Sequence, residues 1–293
     1  MVHDRPAGIG EFVRTVPGLL VVTADDFGAS LSVNEAVEQA HSAGVVTSAS
    51  LMVRGAAFAD AVARARRLPR LSVGLHLVLC DGRPVTTGGQ GSLLTDGGGR
   101  FVDSPLKAGW RYGIRRRLLA PAIEEEIEAQ FEAFAATGLR MDHVDGHHHL
   151  HMHPVVFPCV VRAASRFGAS VIRIVEEDVA GRLGGLRVSG EASAAVLRSL
   201  ASGCRRRLAL ASACTTFDRV YGLRETGRLD ELSLIQLARR LREKKVELYA
   251  HPDEATEAGR RERDALCSPR VRAAIAEAGY VLVNSRELAQ EDS

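Results

Sequence analysis

No apolar run in the chain approaches the length of a membrane span, and the N-terminus has no basic stretch followed by an apolar segment and a small-residue cleavage site. Neither an integral membrane protein nor an exported precursor is expected. CxxC pairs are also absent. The five cysteines, Cys80, Cys159, Cys204, Cys214 and Cys267, fall at irregular spacing, which excludes a zinc knuckle or a disulfide framework and points to free thiols in a cytoplasmic protein. Net charge is small, +2, so whole-chain electrostatics give no reason to expect nucleic acid as a partner. Two basic knots stand out locally: Arg111, Arg115, Arg116 and Arg117 beside Trp110 and Tyr112, and Arg205 to Arg207. Each is read as a solvated helix face or as a contact for an anionic surface. There is no internal repeat and no Pro- or Ser-rich linker to divide the chain.

What is present is an ordinary globular composition, 46% hydrophobic and 25% charged over 293 residues, enough for a sizeable core. Short runs rich in Val, Leu and Ile read as parallel strands buried on both faces. They are Leu19 to Ala24, Val45 to Val53, Leu71 to Leu79, Met141 to Val144, Ala169 to Val175, Val246 to Ala250 and Tyr280 to Val283. Helical periodicity falls mostly between them, at Ser32 to Ala43, Ala56 to Arg67, Pro121 to Ala136, Val155 to Phe167, Glu191 to Leu210 and Leu232 to Lys244. Ser32 with Glu35 matches a capping box, and Gly44, Gly138 and Gly168 read as helix stops. The glycine-rich stretches Thr86 to Gly99 and Gly181 to Gly190 read as loops over one rim. The alternation predicts an α/β fold of mainly parallel strands, a barrel or an open sheet, in a single domain, residues 18–293, after an N-terminal extension, residues 1–17.

The unusual polar residues fall where such a fold gathers them. Asp25 and Asp26 follow one strand, His76 sits near the end of another, and His147 and His251 follow two more. Carboxyl ends of parallel strands converge on one face, so these distant residues can form one site. Adjacent buried carboxylates repel unless a cation lies between them. The segment Asp145 to Pro154 holds five histidines within seven residues, half of the ten in the chain, for which metal binding is the leading explanation. Two neutral imidazoles and a carboxylate suit one divalent transition ion with positions left for water and substrate. Zinc is the first choice; Mn, Co, Ni and Fe suit the same donors, and Mg, which prefers oxygen, is not excluded. His251, before Pro252, is a candidate to protonate a leaving group, and Arg173, within Val-Ile-Arg-Ile, a candidate to orient a carboxylate or a substrate hydroxyl.

Five anchors in order, Thr23-Ala-Asp-Asp-Phe-Gly28, Gly44 to Val53, Val73-Gly-Leu-His-Leu77, His143-Val-Asp-Gly-His-His-His-Leu-His151 and Ala250-His-Pro252, resemble the YdjC-like carbohydrate deacetylases. That family includes diacetylchitobiose deacetylase and a hopanoid-biosynthesis branch. The resemblance implies a distorted (β/α) barrel with Asp26, His76 and His147 as metal ligands, Asp25 as base, His251 as general acid, Arg173 at the substrate, and His151 either behind the ligands or in the substrate cleft. It also implies hydrolysis of the acetamide of an N-acetylglucosamine-type sugar. Ala61 to Pro69, Lys107 to Tyr112 and Gln130 to Phe134 resemble the hopanoid branch, implying a lipid-linked substrate at the inner membrane face. The His-rich segment lacks the lysine of that branch, which keeps a soluble chito-oligosaccharide as the alternative. A metal-dependent phosphoesterase is the rival chemistry, and peripheral membrane contact through Trp110 to Leu119 and a homodimer are left open.

Overall fold

A ten-residue strand, β1 (Gly18–Phe27), is buried along nearly its whole length and organises everything else. The structure, a computed structural model, describes residues 16–88, 93–176, 190–211, 214–223 and 227–291, of which 190–197 by their backbone. The expected extension therefore lies almost wholly outside the described residues, as does the glycine-rich stretch before Gly190. The remaining strands are β2 (Ser48–Leu51), β3 (Ser72–Leu77), β4 (His143–Gly146), β5 (Val171–Ile172), β6 (Arg219–Tyr221), β7 (Lys245–Ala250) and β8 (Tyr280–Leu282). All strand ladders are parallel, in the order β5-β4-β3-β2-β1-β7-β6, with β8 pairing the start of β1. This is the expected single-domain α/β architecture, seen as a half-barrel. Each predicted strand is present, most of them trimmed. Strand β6 was not predicted: three residues with Arg and Tyr flanking one Val carry no apolar run to notice.

Ten helices are described: α1 (Leu31–Ser42), α2 (Phe58–Arg67), α3 (Pro105–Ile114), α4 (Arg116–Ala135), α5 (Phe157–Phe167), α6 (Gly190–Ala211), α7 (Glu231–Ala238), α8 (Glu257–Cys267), α9 (Pro269–Glu277) and α10 (Ser285–Gln290). The cap of α1 is Ser30, not Ser32, with its hydroxyl accepting from the Val33 amide at 3.1 Å. Helix α4 begins at Arg116 rather than at Pro121, which lies inside it and cannot donate the helical bond to the Arg117 carbonyl. Helix α7 stops at Ala238, short of the predicted Lys244. Gly168 closes α5 at φ 75°, the left-handed conformation that glycine adopts without a Cβ penalty. Gly44 instead keeps ordinary backbone angles; a Cβ there would run into the carbonyls of Ala40 and Leu266.

The start of the glycine-rich loop after β3 is held in place. Buried Glu126 on α4 accepts from the amides of Val85 and Thr86, both at 2.9 Å, and from the Thr86 hydroxyl at 2.6 Å. All five cysteines are free, and no described helix is long and apolar enough to cross a membrane.

Candidate active site

Consecutive side chains on a regular strand point to opposite faces. At the end of β1 they do not. Between paired positions β1 advances from Ala24 to Phe27 while β2 advances only from Ala49 to Leu51, so β1 carries one extra residue. The bulge turns on Asp26, whose φ of 62° is left-handed, a strained conformation for a residue with a side chain. Asp25 and Asp26 thereby both approach His76. Oδ1 of Asp26 lies 3.3 Å from His76 Nε2 and 3.1 Å from His147 Nδ1.

His147 begins a 3-10 turn, His147–Met152, that leaves β4, and His148 and His149 both take left-handed φ values, 53° and 57°. The turn distributes the five clustered histidines to different tasks. His147 reaches Asp26. His148, partly exposed, stands 3.7 Å from Asp81 on the rim. His149 Nε2 hydrogen-bonds the Tyr249 hydroxyl at 2.9 Å, and burial holds its imidazole well below the usual range. His151 is sealed inside, donating from Nε2 to the Arg173 carbonyl at 2.8 Å, and burial pushes it down to about 4. His153 packs edge-on to Tyr112.

Behind the first donors lies a buried polar ribbon. His76 Nδ1 meets Asp145 Oδ1 at 2.7 Å; a carboxylate only accepts, so Nδ1 carries the proton and Nε2 is left facing Asp26. Asp145 also accepts from Ser50 at 2.6 Å. Arg173 spans the rest. Its guanidinium contacts Asp25 at 2.7 and 2.9 Å, Glu247 at 2.9 and 3.0 Å and Asp145 at 2.9 Å, and it stacks 4.7 Å from the Tyr249 ring centroid. Only 1% exposed, Arg173 holds both oxygens of the Asp25 carboxylate. Arg173 and His151 are both buried, Arg173 against the Asp25 carboxylate and His151 beneath the Arg173 carbonyl, as their carboxylate-orienting and interior alternatives have it.

His251 follows β7, is 30% exposed and brings Nε2 to 4.0 Å from Asp25 Oδ2. Its backbone N–H donates to Glu262 on α8 at 2.6 Å, and Glu262 accepts a second amide, Gly227, at 2.6 Å. Burial pushes the Glu262 carboxyl up despite these bonds. The sequence reading missed Asp145, Glu247 and Glu262 as supports. A visible signal existed for one pair: Glu247 and Arg173 are opposite charges inside two apolar strands, and each needs a buried partner.

The donor set fits a metal ion. One atom each from Asp26, His76 and His147 lies within 4.8 Å of the others, and Asp26 Oδ1 is buried without a hydrogen-bond partner. Burial opposes ionisation of Asp26, but the His147 and His76 imidazoles more than offset it and hold the carboxyl well below the usual carboxylate range. Burial likewise opposes charge on His76, yet Asp145, Asp26 and Asp25 push it up to about 10, and the same negative field favours a cation at Nε2. A cavity of about 970 Å³ at the other end of the strands, lined by Arg140, Ser170, Thr215, Lys245 and Arg286 among others, shares no residue with these donors.

Fold and donors together define a parallel α/β half-barrel with an Asp-His-His site at its strand ends. More narrowly, the chain belongs to the YdjC-like protein family, which matches residues 19–277. It is 32% identical over 284 residues to the chitooligosaccharide deacetylase of Serratia marcescens, covering 92% of this chain and 99% of that protein. It is 44% identical over 154 residues to a carbohydrate deacetylase of Brevibacillus brevis, a match spanning 52% of this chain and little more than half, 58%, of that protein. A crystal structure from Enterococcus faecalis V583 shares the fold with a TM-score of 0.70 at 22% identity, over 93% of this chain and 99% of that one.

Proposed function

We propose that this protein is a metal-dependent hydrolase that removes the acetyl group from an N-acetylated amino sugar. The observation that carries this is the convergence of Asp26, His76 and His147 beside a clamped carboxylate, Asp25, and a partly exposed imidazole, His251. Family membership and relatives named for carbohydrate and chitooligosaccharide deacetylation support it. Asp26, His76 and His147 would hold one divalent ion, zinc by the chemistry of the donors, which when bound supplies Lewis-acid polarisation of a carbonyl and acidifies water.

Amide hydrolysis also needs a proton acceptor for the attacking water and a donor for the amine that leaves. Asp25 is the acceptor. Arg173 fixes both of its oxygens, so the carboxylate is preorganised instead of searching rotamers. His251 donates to the departing nitrogen from the open side of Asp25. Its backbone is pinned by Glu262, and Pro252 takes the chain out of β7 at that point.

Among acetylated sugars, a chito-oligosaccharide is favoured by the Serratia relative, which matches over nearly its whole length. An N-acetylglucosaminyl hopanoid is the second reading, on the sequence segments that resemble the hopanoid branch. Acetate release from diacetylchitobiose and from the glycolipid by the zinc-loaded protein separates them. Asp25→Asn is expected to lower turnover at least a hundredfold while still binding zinc, and His147→Ala to lose both. Undiminished turnover in Asp25→Asn removes the proposed base. No acetate from either substrate with two ions bound per chain points to the phosphoesterase.

A further inference from the structure

Large apolar side chains on the described surface are concentrated along one line. Leu106, Trp110 and Ile114, exposed by 86, 71 and 63%, recur every fourth residue on α3 and form a single ridge, and Leu118, 55% exposed, follows at the start of α4. The helix cannot roll to hide them. Its inner face is fixed by buried Ala108 and Tyr112, with the Tyr112 hydroxyl donating to the Leu79 carbonyl at 2.7 Å and Arg111 donating to the Leu93 carbonyl at 2.5 Å. The ridge is bordered by Lys107 and by Arg115, Arg116 and Arg117, all exposed, and these four side chains make no ion pair within the described residues.

We propose that the outer face of α3 seats the protein on an anionic lipid surface. The arrangement is that of an interfacial helix: apolar side chains at acyl depth, an indole at headgroup level, and guanidinium groups beside phosphates. Charge decides against a second copy of the chain as the occupant. A two-fold contact through this ridge would bring two sets of three unpaired arginines together, and like charges repel. Anionic headgroups complement the same arginines. The seat adjoins the site: α3 packs over the His-rich turn, with Tyr112 against His153.

Trp110 is the only tryptophan in the chain, so its fluorescence reports this face alone. On adding vesicles of phosphatidylcholine mixed with phosphatidylglycerol, its emission should move to the blue and the protein should sediment with the vesicles; phosphatidylcholine alone should give neither. Neutralising Arg115, Arg116 and Arg117 together to Gln should weaken partition by on the order of a hundredfold, from about fivefold per charge. An unchanged thermal midpoint shows the variant folded. Absence of the blue shift, equal binding to both vesicles, or a blue shift that follows protein concentration without lipid overturns the proposal, the last in favour of self-association. None of these readouts involves acetate, so the result stands apart from the deacetylase reading.

Discussion

Arg173 is the one guanidinium shared by three buried acids. Asp25, Asp145 and Glu247 are at most 2% exposed, and each contacts the one guanidinium. Removing one partner of a buried ion pair leaves uncompensated charge, which costs about 3–5 kcal/mol. Arg173→Met should therefore lower the free energy of unfolding by that amount in a urea titration; a loss below about 1 kcal/mol would mean the acids are neutralised some other way. At this scale the candidate site was partly legible. Asp25, Asp26, His76, His147 and His251 stood out because a polar residue ending an apolar strand is uncommon and parallel strand ends converge. What could not be read was depth. Nothing in Val-Ile-Arg-Ile tells whether the guanidinium faces substrate or lies beneath an acid, and five neighbouring histidines give no sign that two consecutive left-handed residues send them to different partners.

Two glycines that read alike as helix stops act through different physics. Gly168 needs its left-handed φ and has open space around it, so Gly168→Ala should cost about 1 kcal/mol of backbone strain, or a few degrees of melting temperature. Gly44 needs contact instead, since helix α8 ends against it through Leu266. Gly44→Ala forces two backbones apart and should cost more than Gly168→Ala; equal melting points in a thermal scan would refute that ordering. Apolar runs located the long strands and helices because burial on both faces writes a continuous signal. Short elements escaped for the converse reason: β6 has one buried residue, and α8 mixes three arginines and three acids so that its apolar stripe is thin.

Across the whole molecule, the site couples fold stability to pH. His76 in the metal-free protein is held up to about 10 against an ordinary 6.5, so its contribution to stability is complete below about pH 6.5 and is lost as pH rises towards 10. A ligating imidazole must be free of that proton, so zinc affinity should fall about tenfold per unit as pH is lowered through this range. The rise in melting temperature on adding zinc should accordingly be larger at pH 8.5 than at pH 6.5, and His147→Ala should abolish it at both; a shift independent of pH would argue against His76 as a ligand. The parallel α/β class was legible at this scale from alternation alone, whereas the joining of β1, β4 and β7 by one arginine just after β5 was not, because strand order in a parallel sheet leaves no local mark. The bulge in β1 carries a consequence for descent. The acid pair exists only while the extra residue does: deleting Asp25 or Asp26 restores an even register with β2 and leaves a single carboxylate. A β1 without the bulge would therefore keep the barrel and give up the paired acids in one step, whereas a substitution removes one acid and leaves the bulge in place.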